Sequence, residues 1–288
     1  MPLVHHRTAM VDGHAIFYRE AGRLSDPHVV LLHGYPTSSH MFRHLIPVLS
    51  DRYHVIAPDY VGFGLSDAPP VAELDYSFDA LAAITSALLS RIGVERFAMY
   101  VQDYGAPVGW RLALNHPERV TAIMSQNGNA YEEGFVETYW DPIWAYASAP
   151  GPGTEGPVRD GLTLDAIRWQ YTHGVPDTSL VSPDCWHHDF ALLQRPGLDD
   201  VQLALARDYP SNVELYPDVH EYFRSTQVPM LVVWGANDEI FGPAGAMAFN
   251  QDLPRAQVHL LDAGHFALES NLDIVSDHIR GFLAQVPC

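Results

Sequence analysis

The chain has 288 residues, with 16 basic against 35 acidic side chains, 47% hydrophobic and 18% charged residues, proportions that exclude a disordered or fibrous protein and suit one large globular domain or a domain carrying an insertion. All 16 basic residues are arginine, which excludes Schiff-base chemistry and the phosphate-binding lysine of a P-loop. A formal charge of −19 repels phosphate backbones and anionic lipid, so nucleic acid and membrane surfaces are not expected partners and a small neutral molecule is.

In chain order, residues 8–22 read as two strands around the Asp12-Gly13 turn, since Asp-Gly between β-prone runs signals a hairpin. Val29-Val30-Leu31-Leu32 and His54-Val55-Ile56-Ala57 are short apolar runs that suit buried strands, with a helix expected over 41–49 between them. A helix over 79–92, a strand over 97–101, a helix over 106–115 and a strand over 120–125 continue the alternation. That rhythm specifies a mostly parallel sheet flanked by helices. It breaks between residues 131 and 222, where Pro, Gly, Trp and Tyr are dense and 16 acidic residues face four arginines. This stretch is expected to be an inserted helical cap, dividing the chain into a core at 1–130, a cap at 131–222 and the rest of the core at 223–288. Strands over 230–234 and 258–261 and a helix over 274–283 complete the reading.

The amino-terminal segment has no apolar core of signal-peptide length, and no uncharged apolar run approaches 18 residues, so a cytoplasmic location is expected. Cys185 and Cys288 are far apart and the sixteen histidines form no HExxH pattern. Neither a disulfide framework nor a metal site is expected.

The chemistry centres on Val101-Gln102-Asp103-Tyr104-Gly105, between a buried strand and a helix, where a sharp strand-to-helix turn exposes a nucleophile. No G-x-S-x-G occurs, so a serine esterase loses its main support. An aspartate in that slot attacks sp³ carbon and leaves an alkyl ester that water must then cleave, although an isolated Asp there could equally be a helix cap. Three further segments support the chemical reading. Leu32-His33-Gly34-Tyr35-Pro36 follows a strand at the place of an oxyanion loop, which makes the backbone N–H groups of Tyr35 and Tyr104 the expected oxyanion donors. Trp234-Gly235-Ala236-Asn237-Asp238 ends a strand with an acid, and Asp262-Ala263-Gly264-His265-Phe266 follows the last strand with a histidine.

In these segments, together with HGYPTSSHMFRHLIP, APDYVGFGLSD and WGANDEIFGP, the chain resembles the Asp-nucleophile branch of the α/β-hydrolase superfamily, the epoxide hydrolases and haloalkane dehalogenases, over nearly its whole length. The resemblance implies Asp103 as nucleophile, His265 as base and Asp238 as the acid that orients it, with no cofactor. The alternative acid position of some dehalogenases falls in Ser125-Gln126-Asn127-Gly128-Asn129, which holds no acid. Asp59, another family position, is expected to be structural.

The two activities differ in their leaving group. An epoxide opens to an alkoxide that needs a proton, whereas a halide needs only hydrogen bonds, so tyrosine suits the first and indole the second. By resemblance one cap donor is Tyr209, with Tyr216 in reserve. The other lies in Glu137-Thr138-Tyr139-Trp140-Asp141-Pro142-Ile143-Trp144-Ala145-Tyr146, with Tyr146 and Trp140 the leading pair, although aromatic side chains build cores whatever else they do. Tyr35, Tyr104, Tyr139, Trp140, Trp144, Tyr216 and Phe266 are expected to line the pocket. Val101-Gln102-Asp103 resembles one dehalogenase subgroup more than the usual Gly-His-Asp of epoxide hydrolases. Against that, Tyr35 and Tyr104 replace the Asn or Glu and the Trp that dehalogenases commonly use to bind halide, and Tyr104 replaces the Arg of fluoroacetate dehalogenases. The expected activity is hydrolysis of a hydrophobic epoxide to a diol, with water as co-substrate. The alternatives are haloalkane dehalogenation and, from fold analogy alone, a non-catalytic ligand-binding protein.

Overall fold

A computed structural model describes residues 3–286; Cys288 lies outside the described residues. Its centre is an eight-stranded sheet: β1 (His5–Val11), β2 (His14–Ala21), β3 (His28–Leu32), β4 (His54–Pro58), β5 (Phe97–Gln102), β6 (Val120–Gln126), β7 (Met230–Gly235) and β8 (Gln257–Leu261), in the spatial order β1-β2-β4-β3-β5-β6-β7-β8. β1, β2 and β4 pair antiparallel, and every pairing from β4 to β8 is parallel. At the first hairpin both Asp12 and Gly13 have positive φ, the backbone that a two-residue turn needs to follow strand twist.

The central strands are apolar throughout because helices cover both faces. Side chains alternate between two cores: Val30, Leu32, Met99, Val101 and Val232 on one face, Val29, Leu31, Ala98, Tyr100 and Leu231 on the other. The edge strand β1 instead exposes His5, His6, Arg7 and Thr8, which discourages pairing with another chain. The helix expected over 41–49 is broken into a 3₁₀ turn, Ser39–Phe42, and a short helix, Leu45–Leu49. Pro47 has no N–H to donate, which weakens any continuous helix through this point. The helix Pro243–Asp252, between β7 and β8, has no counterpart in the sequence expectation.

Between β6 and β7 the chain leaves the sheet for a run of helices that starts with Glu137–Ser148 and ends with Tyr216–Thr226, the last straddling the expected boundary at 222. Several are started by side-chain caps: Thr163 accepts from the Ala166 N–H and Ser182 from the Asp184 N–H. Among the described residues no helix is long and apolar enough to cross a membrane.

The parallel register brings the carboxyl ends of the central strands to one edge. Leu32 pairs with Val101, Gln102 with Gln126, Gln126 with Val233, and Gly235 with Leu261. The loops leaving this edge carry Tyr35, Asp103, Asn127, Asp238 and His265, and the helical run covers them. In open α/β sheets this edge is where ligands bind. A depression at the opposite edge, among Pro27, His28, Phe97 and Thr121, is remote from all five.

Candidate active site

Asp103 occupies the first position after β5 with φ +48°, left-handed backbone that a non-glycine residue adopts at some cost. The turn is held open to the site by close packing beneath it. A Cβ on Gly105 would sit 2.2 Å from the Leu32 carbonyl oxygen, and one on Gly34 would sit 2.3 Å from the Asp103 Cβ, so only glycine lets the oxyanion loop, the strand end and the next helix meet here. The Asp103 N–H donates to the Asn127 carbonyl at 3.3 Å, tying the turn to the end of β6.

The carboxylate has two different environments. Its Oδ1 accepts from the Tyr35 N–H at 2.7 Å, and the Tyr104 N–H is near enough to favour the charged carboxylate. Its Oδ2 lies 3.8 Å from His265 Nε2. Burial raises the Asp103 pKa above its ordinary value, while His265 and the two backbone amides act in the opposite direction. A buried carboxylate with so few partners is poorly solvated and reactive.

His265 is buried, and its Nδ1 stands 2.8 Å from Asp238 Oδ2. A carboxylate only accepts, so Nδ1 carries the proton and Nε2, on the Asp103 side of the ring, is left as an acceptor. Burial works against protonation of His265, but the Asp238 charge and hydrogen bond, with a smaller contribution from Asp103, raise its pKa above the ordinary value. Asp238 is fixed in turn: Oδ1 accepts from the Ile240 N–H at 2.7 Å, and Oδ2 accepts from Asn127 Nδ2 at 2.7 Å. Gln126 Nε2 donates to the His265 carbonyl at 2.8 Å.

Two residues of this assembly were given no role in the sequence reading. Asn127, also at φ +48°, stands at the alternative acid position, and its amide bridges Asp238 and the Gly235 N–H. Gln102 places Nε2 2.8 Å from His265 Nε2, donating to the free lone pair, and leaves its own Oε1 without a partner. The signal for Asn127 lay in its position: the first residue after a buried strand, beside the nucleophile turn. Gln102 faces the site because the turn begins there, which motif spacing does not reveal.

His33 supports the oxyanion loop, bonding the Gly34 carbonyl through Nδ1 at 3.0 Å and the Tyr60 N–H through Nε2 at 3.3 Å. Asp59 accepts from the Ser39 and Leu65 N–H groups at 2.7 and 2.8 Å and so clamps two loops.

The cap side is a cavity of about 260 Å³ with Tyr35, Tyr104 and Tyr139 in its wall. The Tyr35 hydroxyl donates to the Gly161 carbonyl at 2.9 Å. Tyr139 lies in the first turn of the helix Glu137–Ser148; burial, then the charges of Asp103 and Asp238, raise its pKa. Tyr209 is almost fully buried, with ring centroids 4.3 Å from Trp140 and 5.9 Å from Tyr104. Its pKa is raised well above the ordinary value, first by burial and then by Tyr216 and Asp103. Neither the Tyr139 nor the Tyr209 hydroxyl hydrogen-bonds to another described residue.

The other expected cap residues face elsewhere. Trp140 donates its indole N–H to the Ile240 carbonyl at 2.8 Å, so that group is already used. Trp144 stacks on Trp140 at 5.2 Å and edges Tyr209 at 5.8 Å. Tyr146 packs with Leu203 and Ala206, and borders a separate depression beside Glu155, Arg159 and Arg207. It is seven residues beyond Tyr139, which puts it about 10 Å farther along the helix axis. The expectation of Tyr146 at the cavity is therefore corrected: Tyr146 faces away from it, and of the tyrosines on this helix it is Tyr139 that lines it. Tyr216 accepts from Asn129 Nδ2 at 3.4 Å, and Phe266 stacks on Tyr171 at 4.0 Å behind His265. Both pack around the site. Among the described residues no group of three or more His, Cys, Asp or Glu is arranged to hold a metal ion.

Residues 27–149 match the family model of the alpha/beta hydrolase fold. The chain is 43% identical to an uncharacterized hydrolase of Saccharomyces cerevisiae, covering 97% of both chains. It is 38% identical to a haloalkane dehalogenase of Bradyrhizobium diazoefficiens, covering 97% of this chain and 94% of that one. Among solved structures it is similar to epoxide hydrolase A of Mycobacterium thermoresistibile, with a TM-score of 0.78 at 26% identity over 100% of this chain and 99% of that one. The chain belongs to the α/β-hydrolase family, in the group that contains the haloalkane dehalogenases and the epoxide hydrolases.

Proposed function

We propose that the protein is an epoxide hydrolase that opens its substrate through an ester on Asp103. The observation that carries this reading is the pair of cap phenols beside the nucleophile turn: Tyr139 lines the cavity with Tyr104, the ring of Tyr209 lies 5.9 Å from that of Tyr104, and neither hydroxyl has a described hydrogen-bond partner. A phenol delivers the proton that an opening epoxide requires, whereas the indole of Trp140 is committed to a backbone carbonyl.

In the first step Asp103 Oδ2, the oxygen not held by the Tyr35 N–H, attacks a ring carbon. The carbon–oxygen bond breaks and the departing oxygen takes a proton from Tyr209 or Tyr139, giving a hydroxyalkyl ester and a tyrosinate. In the second step water gives a proton to His265 Nε2 and attacks Asp103 Cγ. Negative charge develops on Oδ1, which already accepts from the Tyr35 N–H at 2.7 Å in the resting protein. Collapse of this intermediate releases the diol and restores the carboxylate, and the His265 proton returns to the tyrosinate. Asp238 holds the tautomer that leaves Nε2 unprotonated, so that water can take the place of the Gln102 donor there, and it stabilises the imidazolium. Asn127 keeps Asp238 in place.

Haloalkane dehalogenation is the second reading, favoured by the 38% identity with the Bradyrhizobium haloalkane dehalogenase. It would use the same Asp103, His265 and Asp238. Mass spectrometry of a His265→Gln variant separates the two readings, because it removes the base and leaves the nucleophile and oxyanion donors intact. An epoxide adds its entire mass to the Asp103 peptide, since the ring oxygen remains attached. A haloalkane adds only its alkyl part. The expected result is whole-epoxide addition. An alkyl-only adduct transfers the proposal to dehalogenation, and no adduct from either panel points to a ligand-binding protein.

A further inference from the structure

Gln102 is the last residue of β5 and is fully buried. Its Nε2 donates to His265 Nε2 at 2.8 Å, and its Oε1 has no hydrogen-bond partner. Half of a buried amide is therefore unsatisfied, at a cost that leucine or methionine in the same space would not incur. Because Oε1 is sealed from solvent, a partner for it must come from the protein itself.

The neighbouring group whose hydrogen bonding changes is the His265 ring. Its Nδ1 keeps a proton against Asp238 Oδ2 at 2.8 Å in both charge states, so a proton gained by the ring arrives at Nε2. That nitrogen then changes from acceptor to donor. It faces the Gln102 Nε2, a second donor, at 2.8 Å. Asp103 Oδ2, at 3.8 Å, is beyond hydrogen-bond reach. A half-turn of the amide about its Cγ–Cδ bond resolves the conflict, because it exchanges two ends of nearly the same size. Oε1 then accepts from the imidazolium N–H. The amino end moves to the side where Asp103 Oδ1 lies, since a Cβ on Gly34 would sit 2.6 Å from Oε1 and 2.5 Å from that oxygen.

We infer that Gln102 is a positioning residue whose side-chain amide turns over with the proton on His265 Nε2, donating to the neutral ring and accepting from the imidazolium. Its part in ester hydrolysis rests on the proposed function, whereas the turn itself follows from protonation of the ring in the free protein. The charged groups that face the ring are Asp238 and Asp103, and its aromatic neighbours Phe241 and Phe266 are apolar. A group that only donates or only accepts would serve one state of the ring. An amide serves both. The hydrogen bond to the charged ring is the stronger of the two, so Gln102 favours the imidazolium and assists uptake of the proton that water gives up.

Two NMR measurements test the turn without any substrate. In wild-type protein carrying isotope-labelled glutamine, the Gln102 amide is assigned by its Overhauser contact with the His265 ring. Its resonances should titrate with the midpoint of the ring, and the contact should fade as the ring is protonated. The near-isosteric Gln102→Met removes donor and acceptor together and should lower the His265 pKa by about one pH unit, the difference between a charge-assisted and a neutral hydrogen bond. A fixed donor predicts the opposite sign, since losing it would ease protonation. An amide contact that survives the titration, or a His265 pKa that rises or stays unchanged in Gln102→Met, overturns the inference. In single turnovers the acid limb of ester decay should move down by about the same amount in Gln102→Met. If the NMR shifts are found but no ester forms with any epoxide or haloalkane, the proposed function falls and the turn of Gln102 stands. Ester decay with an unmoved limb overturns its role in hydrolysis.

Discussion

The strand-end loops and the cap form the two sides of the candidate site by different means. On the sheet side each polar residue stands within four residues of the end of a strand whose register is set by its neighbours, and each is tied to others by hydrogen bonds. Asp238 alone accepts from His265, Asn127 and the Ile240 N–H. On the cap side Tyr139 and Tyr209 are positioned by ring packing, and their hydroxyls have no described partners. Fixed polar groups suit steps that recur unchanged in every turnover. Packed phenols suit contact with a substrate whose shape varies, since aromatic packing orients the ring and leaves the hydroxyl free to respond.

The sheet wall should therefore fail all at once. Asp103→Ala is expected to reduce turnover to background, because no other carboxylate can replace the attacking oxygen. Asp103→Asn should do the same in freshly prepared protein, before any deamidation regenerates the acid. Both variants should melt no lower than wild type, since each removes a buried charge whose desolvation is unfavourable. Calorimetry and steady-state assays on the same preparations test this. Residual turnover in Asp103→Ala would remove the basis for the proposed chemistry.

The acid tests how far the sheet wall tolerates rearrangement. Asp238→Asn should slow ester hydrolysis by about 10³–10⁴-fold, as loss of the tautomer-setting acid does elsewhere. Asn127 touches the same carboxylate oxygen as His265. Adding Asn127→Asp to Asp238→Asn exchanges the acid and the amide across that contact and should restore a large part of the rate. Asn127→Asp alone should impair the enzyme, because two carboxylates 2.7 Å apart cannot both ionise. Rapid-quench measurement of ester decay distinguishes these outcomes, and the absence of any rescue would show that the His265 geometry depends on Asp238 itself.

The cap wall should fail in parts. Tyr209→Phe and Tyr139→Phe are each expected to slow alkylation of Asp103 by about 10²–10⁴-fold, the usual contribution of a general acid, with less loss wherever the other phenol compensates. The double variant should be slower than either. Tyr146→Phe should leave alkylation unchanged, since its ring lies against Leu203 and Ala206. An effect of Tyr146→Phe equal to that of Tyr139→Phe would break the assignment.

The same contrast explains what was readable in the sequence. Alternating strands and helices, and an acid or histidine within four residues of a strand's end, are local patterns, so the sheet and the positions of Asp103, Asp238 and His265 could be read from residue order. The cap could not be read this way. Tyr139, Trp140, Trp144 and Tyr146 share one short helix, and which of them reaches Asp103 depends on where that helix starts and how it docks. The indole of Trp140 is used by the Ile240 carbonyl, a contact exactly 100 residues distant in the chain, and no local pattern reports such a bond. Gln102 is illegible in the sequence for a related reason: an amide oxygen without a partner is recognised only once its surroundings are known.

The smallest expected effect concerns protons, and it tests whether the two steps of the sheet wall are coupled through charge. Ester hydrolysis needs neutral His265, so its rate should fall about tenfold per pH unit below the pKa of that residue. In the free enzyme that pKa is raised, with Asp238 the main opposing influence to burial and the Asp103 carboxylate adding to it. Esterification moves the negative charge from Asp103, 3.8 Å from His265, to a phenol of the cap and leaves Asp238 in place. The imidazolium then loses one favourable neighbour, so the pKa governing hydrolysis should lie below the one that His265 shows in the resting protein. Alkylation needs ionised Asp103, whose pKa is raised above the ordinary carboxylate value by burial, so its acid limb should lie at higher pH than that of an exposed carboxylate. NMR titration of His265 in the free enzyme, set beside the pH profile of ester decay in single turnovers, measures both values. A decay limb at higher pH than the free-enzyme titration would reverse the expected sign and show that the bound substrate, rather than the Asp103 charge, dominates the field at His265.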